Sequence, residues 1–203
     1  MWFLIAITVI ISYLLGNLNG AVLASKALGD DVRAHGSGNA GLTNFIRSYG
    51  AGRALFVILI DAGKAVAACA LGGLLLRSYL GFQTGSAIGG AAVMLGHVLP
   101  VFLKFRGGKG ILSGFFIAIV TDYRVALVIL SVFAVVYLIT WYVSLGSVLA
   151  ALTFGISFAI LHHDNPTVMF CGIFMSLLAT AMHIPNIVRL LKGEERKTNL
   201  FKK

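Results

Sequence analysis

Residues 125–161 carry no charged side chain. As one helix they would run to about 55 Å, nearly twice the ~30 Å hydrocarbon core of a bilayer. The stretch must therefore fold back on itself. Ser144-Leu145-Gly146-Ser147 is the expected corner, giving helices over 125–143 and 147–161. Composition widens the inference. The chain is 59% hydrophobic and 11% charged, where soluble domains carry about a quarter charged residues. Such a sequence implies an all-α, polytopic membrane helix bundle.

Further apolar runs are read as spans at 2–24, 54–76, 80–103 and 167–184, with a shorter one at 110–121, for about seven crossings. Residues 1–15 lack a basic start and a cleavage site, so they read as part of the first span and not as a signal peptide. Cys69 and Cys171 lie inside apolar runs without metal-ligand spacing and read as small buried hydrophobes. No repeat or separate soluble domain is visible, and residues 1–203 are expected to form one domain.

The charges test the crossing count. With the C-terminus inside and seven alternating crossings, one face receives Lys26, Arg33, Arg47, Arg53, Lys104, Arg106, Lys109, Arg189, Lys192, Arg196, Lys197, Lys202 and Lys203. The other receives Arg77 and Arg124, and Lys64 lies within a span, which accounts for all 16 Lys and Arg. Cytoplasmic loops are enriched in Lys and Arg. The expected topology is N-terminus outside and C-terminus cytoplasmic, with the net charge of +9 serving orientation and anion binding. No basic, aromatic-bearing soluble domain suggests nucleic acid.

The same topology gathers four polar segments on the cytoplasmic side. The first, Arg106-Gly107-Gly108-Lys109-Gly110, follows Lys104 and sets a glycine pair among cations, a pattern suited to an anion seat. It is not a nucleotide P-loop, since the glycine spacing is wrong and Gly110 follows the lysine. The second, 31–50, holds Gly36, Gly38 and Gly41 in a formal GxGxxG without the strand a dinucleotide fold needs. What remains is local: glycines baring N–H groups, hydrogen-bonding Ser37, Asn39, Thr43 and Asn44, and Arg33 and Arg47 to fork a phosphate. The third is the Ser144–Ser147 corner. The fourth holds His183 and, one turn on, Asn186. His97, three residues before Pro100, and His183 are each a candidate general base or phosphate ligand. Asp61 and Lys64 are three apart on one helix face and read as an ion pair within the membrane. His162 and His163 fall on the opposite side, and no metal or cofactor site is indicated.

In order along the chain, DVRAHGSGNAGLTNFIRSYG, DAGK, GHVLPVFLKFRGGKG, VSLGS and HIPNIVRLLKGEER together resemble the acyl-phosphate:glycerol-3-phosphate acyltransferase family (PlsY). These are integral enzymes of the bacterial cytoplasmic membrane. The resemblance implies transfer of a fatty acyl group from acyl phosphate to the sn-1 hydroxyl of glycerol 3-phosphate, giving lysophosphatidate and inorganic phosphate, without a cofactor. It implies that Ser37, Arg47, Lys109 and Ser147 contact substrate phosphate while Gly107 and Gly108 shape the pocket. His183 and Asn186 would fall at the reacting centre, with Glu195 holding the tail. Ser37 is a candidate catalytic residue. Arg33, Asn39, Asn44, His97 and Lys104 join the expected substrate-binding set, and a monomer is expected. The sequence departs from the family pattern at Leu42, Arg106, Met182, Ile184 and Trp141-Tyr142. Two other classes fit the composition, an organic-anion transporter and a membrane scaffold.

Overall fold

The computed structural model describes residues 1–198, all helices and connections. α1 (Trp2–Gly16) and α2 (Gly20–Ala27) form one apolar element interrupted at Asn17-Leu18-Asn19. The break is built by side chains: Asn19 accepts from the Val22 N–H to cap α2, and Asn17 donates to the Tyr13 carbonyl. α3 (Leu42–Tyr49) is a short surface helix. α4 (Ala54–Leu75) is the longest element, followed by the single turn α5 (Arg77–Leu80) and by α6 (Phe82–Val98). α7 (Ile111–Thr121), α8 (Tyr123–Thr140), α9 (Val143–Leu161), α10 (Pro166–Met182) and α11 (Ile184–Leu191) complete the chain.

α6 occupies the centre, packed by α1, α4, α7 and α10. Small residues allow this. A Cβ on Gly72 would run into the Gly85 carbonyl, and one on Gly85 into the Gly72 carbonyl, so α4 and α6 touch backbone to backbone. Gly16 and Gly96 do the same between α1 and α6. Such contacts suit helices in lipid, where no hydrophobic force separates a helix from the tails around it. Large apolar side chains such as Phe3, Leu55, Ile139, Ile160 and Leu177 instead point outward, and Thr8, Ser12 and Ser86 are buried. This pattern belongs to a bilayer-embedded bundle.

Among the described residues, five helical elements are long and apolar enough to cross a membrane, and six if α10 and α11 count as one span bent by 53°. Pro185, inside the first turn of α11, explains that bend. The seventh expected span, α7, is an 11-residue helix, only about 16 Å long.

The corner in the charge-free stretch lies elsewhere than expected. α8 ends at Thr140, Trp141 adopts a left-handed conformation (φ 60°), and α9 begins at Val143. Ser144-Leu145-Gly146-Ser147 is the first turn of α9. Gly146 is there because Phe133 of α8 packs against its Cα, so a residue taken for a helix breaker is a packing residue. On the opposite end of the bundle, Asp122 caps α8 by accepting from the Arg124 N–H, and its carboxylate binds the Arg124 guanidinium and buried His162.

Candidate functional site

A cavity of about 430 Å³ opens between α3, α7, α8, α9 and the α10–α11 bend. Its polar lining includes Ser37, Arg47, Lys109, Ser147, Asn186 and Arg189, and Leu112, Phe115, Ile129, Leu130, Phe133 and Ala150 form an apolar sleeve. Ser37, Arg47 and Lys109, far apart in sequence, thus meet at one site.

Each polar side chain is delivered by a specific local structure. Asn44, buried on α3, organises the glycine loop: its Oδ1 accepts from the Ser37 N–H and its Nδ2 donates to the Val32, His35 and Asn39 carbonyls. Gly36 and Gly38 take positive φ (58° and 70°), and a Cβ at Gly36 would strike Asn44 Oδ1. The loop's N–H groups are therefore largely consumed within it; besides that of Ser37, those of Gly38 and Gly41 bind the His35 and Asn39 carbonyls. It offers the cavity the polar side chains Ser37, Asn39 and Thr43, and the backbone of Gly41. Although Asn44 also borders the cavity, all its polar atoms serve the loop.

The Gly-Gly segment departs from expectation in a similar way. The Gly108 N–H donates to the His97 carbonyl at 3.1 Å, and a Cβ on Gly107 would meet the same carbonyl and the Pro100 ring. Neither Gly107 nor Gly108 lines the cavity. Their missing side chains let the segment after α6 fold back against His97, and the adjoining Lys109 and Gly110 line the cavity.

Lys109 Nζ donates to Asn186 Oδ1, Asn186 Nδ2 donates to Glu195 Oε1 at 3.0 Å, and Arg189 Nε donates to Glu195 Oε2 at 2.7 Å. Glu195 thereby ties the tail beyond α11 to the site. Arg47 bonds Thr198, whose own N–H reaches the Trp141 carbonyl at 3.0 Å. Three cations facing one carboxylate leave a surplus of positive charge. Burial, and then the nearby Arg189, push the Lys109 ammonium down to about 8 despite Glu195.

His183 sits at the α10–α11 break and lines the cavity. Its Nδ1 is 2.8 Å from the Ala179 carbonyl. A carbonyl only accepts, so the proton is on Nδ1, and Nε2 of the neutral ring is an acceptor. His97 of α6 and Asp61 of α4 also border the cavity. Asp61 and Lys64 do form a buried pair, at 2.7 Å, and Asp61 also accepts from the Gly20 N–H that begins α2. Removing one partner of such a pair costs about 3–5 kcal/mol.

Besides Gly107 and Gly108, two expected ligands are not at the cavity. Arg33 spends its guanidinium on its own Asp31, at 2.6 and 3.0 Å, and Lys104, in a left-handed turn, is exposed. Two polar residues join the lining unexpectedly: Arg189, and Ser144, whose buried hydroxyl has no partner among the described residues. For Arg189 a signal existed. His183, Asn186 and Arg189 recur every three residues, the spacing of one helix face. Lys202 and Lys203, counted for topology, lie outside the described residues.

Residues 6–193 match the family model described as glycerol-3-phosphate acyltransferase. A glycerol-3-phosphate acyltransferase of Thermoanaerobacter sp. (strain X514) is 40% identical over 192 residues, covering 94% of each chain. One from Finegoldia magna is 36% identical, covering 93% of each. The crystal structure of PlsY, an integral membrane glycerol 3-phosphate acyltransferase, in its glycerol 3-phosphate form superposes with a TM-score of 0.87 at 31% identity. It covers 98% of this chain and 99% of that one. The lysophosphatidic acid form gives 0.84 at 30% identity, covering 97% and 96%. A helical membrane bundle of this shape, matched over nearly its whole length by sequence and by structure, belongs to the glycerol-3-phosphate acyltransferase family.

Proposed function

We propose that this acyltransferase takes its acyl group from acyl phosphate and delivers it to the sn-1 hydroxyl of glycerol 3-phosphate, giving lysophosphatidate and inorganic phosphate. It does so as a monomeric single domain (1–203) in the bacterial cytoplasmic membrane. The observation that carries the reading is one cavity whose lining joins the cations Arg47, Lys109 and Arg189 to an apolar sleeve from α7, α8 and α9. Two phosphate-bearing molecules need the first, and a fatty acyl chain needs the second. The solved PlsY forms named for glycerol 3-phosphate and lysophosphatidic acid support the same acceptor and product. With α7 and the bent α10–α11 pair each counted as a crossing, the total is seven. The positive-inside bias then favours an outside N-terminus and a cytoplasmic site.

The chemistry asks little of specialised residues. An acyl phosphate is a mixed anhydride with an activated carbonyl. The glycerol hydroxyl oxygen attacks the carbonyl carbon, the bond to the phosphate oxygen breaks, and phosphate leaves with the electron pair. The protein's share is to hold two anions together and stabilise the departing one. Arg47, Lys109 and Arg189 offset their repulsion, with Ser37, Asn39 and Ser147 supplying neutral hydrogen bonds. His183 Nε2 accepts from the attacking hydroxyl and orients it. The proton passes on to a substrate phosphate oxygen, whose second pKa near 6, like that of protein phosphoesters, suits it as acceptor. No acyl-enzyme is needed, and Ser37 binds phosphate. Asn186 holds Lys109, and Glu195 holds Asn186 and Arg189.

The deciding experiment offers the purified protein acyl phosphate, acyl-CoA and acyl carrier protein in turn with labelled glycerol 3-phosphate. Product should form from acyl phosphate alone. Equal turnover with acyl-CoA, or an acyl group trapped on Ser37, would refute the mechanism.

A further inference from the structure

Lys64 lies inside the bundle with acceptors on every side. Its Nζ is 2.7 Å from Asp61 Oδ1, 2.7 Å from His97 Nδ1 and 2.5 Å from the Leu18 carbonyl, with the Gly16 carbonyl at 3.4 Å. An ammonium has three protons and no acceptor. Asp61, His97 and Leu18 take all three, and the chain break between α1 and α2 supplies the carbonyl.

The consequence falls on His97. A protonated Nδ1 would set two donors face to face at 2.7 Å. The carboxylate nearest that nitrogen among the described residues, Asp61, stands 3.7 Å away, beyond a hydrogen bond. Nδ1 therefore carries no proton, and the neutral ring holds it on Nε2. That nitrogen has no hydrogen-bond partner among the described residues. It lies against Gly108, where a Cβ would collide with it, and His97 borders the cavity. Gly108 leaves the N–H uncovered, beside the segment that carries Lys109.

We infer that His97 is a fixed hydrogen-bond donor to an anionic phosphate oxygen of the substrate, and that Lys64 is the positioning residue which sets its tautomer. The inference builds on the cavity as a phosphate site. It gives the buried Asp61–Lys64 pair a task beyond holding helices together: aiming one N–H of the ring at the anion.

The test is nitrogen–proton correlation NMR on 15N-histidine-labelled protein in lipid nanodiscs, with His97 assigned by the signals lost in His97→Gln. The expected ring has a protonated Nε2 and a bare Nδ1, and the Nε2 proton moves downfield when glycerol 3-phosphate or inorganic phosphate is added. His97→Gln, whose amide can place a donor near the Nε2 position, should be at least about ten times as active as His97→Leu, the scale of a lost hydrogen bond to a charged group. Lys64→Met should lower kcat/KM by about tenfold to a hundredfold and remove the tautomer signature. A ring protonated on Nδ1, an Nε2 signal indifferent to phosphate, or equal activity of the Gln and Leu variants overturns the assignment while leaving acyl transfer intact. The expected ring without turnover of acyl phosphate would instead remove the donor molecule proposed above.

Discussion

His97 and His183 border the same cavity, yet their surroundings place the ring proton on opposite nitrogens. His97 is gripped through Nδ1 by a saturated ammonium and presents an N–H. His183 donates from Nδ1 to a backbone carbonyl of its own helix and presents a lone pair. The first belongs to a charge cluster joining α1, α2, α4 and α6. The second sits at a proline-induced bend with one local bond. The contrast teaches that a histidine's role is set by what its far nitrogen touches. In sequence both are simply histidines near the end of an apolar run.

The largest effect expected at this site comes from removing the cation that would hold the substrate phosphate between the two rings. Lys109→Ala should lower kcat by about 10²- to 10³-fold, the usual cost of losing a preorganised charge stabiliser, while the protein stays folded. Near-normal turnover would mean that the cavity between the two histidines does not hold a phosphate. Next comes the asymmetry itself. His183→Leu should cost about 10²-fold in kcat, as expected for a group acting on the reacting hydroxyl. His97→Leu should cost about tenfold to a hundredfold, chiefly through KM. The reverse order would exchange their roles.

A smaller effect is on pH dependence. Lys109, proposed to bind phosphate as a cation, is pushed down to about 8 by burial and the nearby Arg189. kcat/KM should therefore fall as pH rises through about 8, and Lys109→Arg should move that limb upward, because a guanidinium stays charged. An unmoved limb would assign it to another group. Smallest of all, Ala150→Phe in the sleeve should leave turnover of short acyl phosphates nearly unchanged and disfavour long ones, by a few-fold per excluded methylene. An unchanged chain-length profile would place the acyl chain elsewhere.

Much of this was legible beforehand because it depends on local composition. An uncharged stretch too long for one crossing forces a hairpin, and Pro100 and Pro185 each mark a helix end or bend. Asp61 and Lys64, spaced three apart on a helix, had to meet. The corner at Trp141-Tyr142 was not legible. Ser and Gly break a helix or pack one equally well, and the choice fell to Phe133 on the neighbouring helix. Nor was the fate of Arg33 and Lys104 visible, since a cation in a polar loop looks the same whether it faces a cavity, a nearby Asp31 or solvent.

The sequence alone determined that this chain enters a bilayer as helices, which side chains carry charge, and to which family it belongs. Those follow from hydropathy and from the order of residue types, both readable one dimension at a time. Only the tertiary structure decided that the glycine loop around Asn44 spends backbone N–H groups on itself, that Arg189 joins Arg47 and Lys109, and which nitrogen each histidine turns toward the cavity. Several of the deciding hydrogen bonds join residues far apart in the chain, such as Lys64 with His97, 33 positions away, and Arg47 with Thr198, 151 away, and no local pattern encodes them.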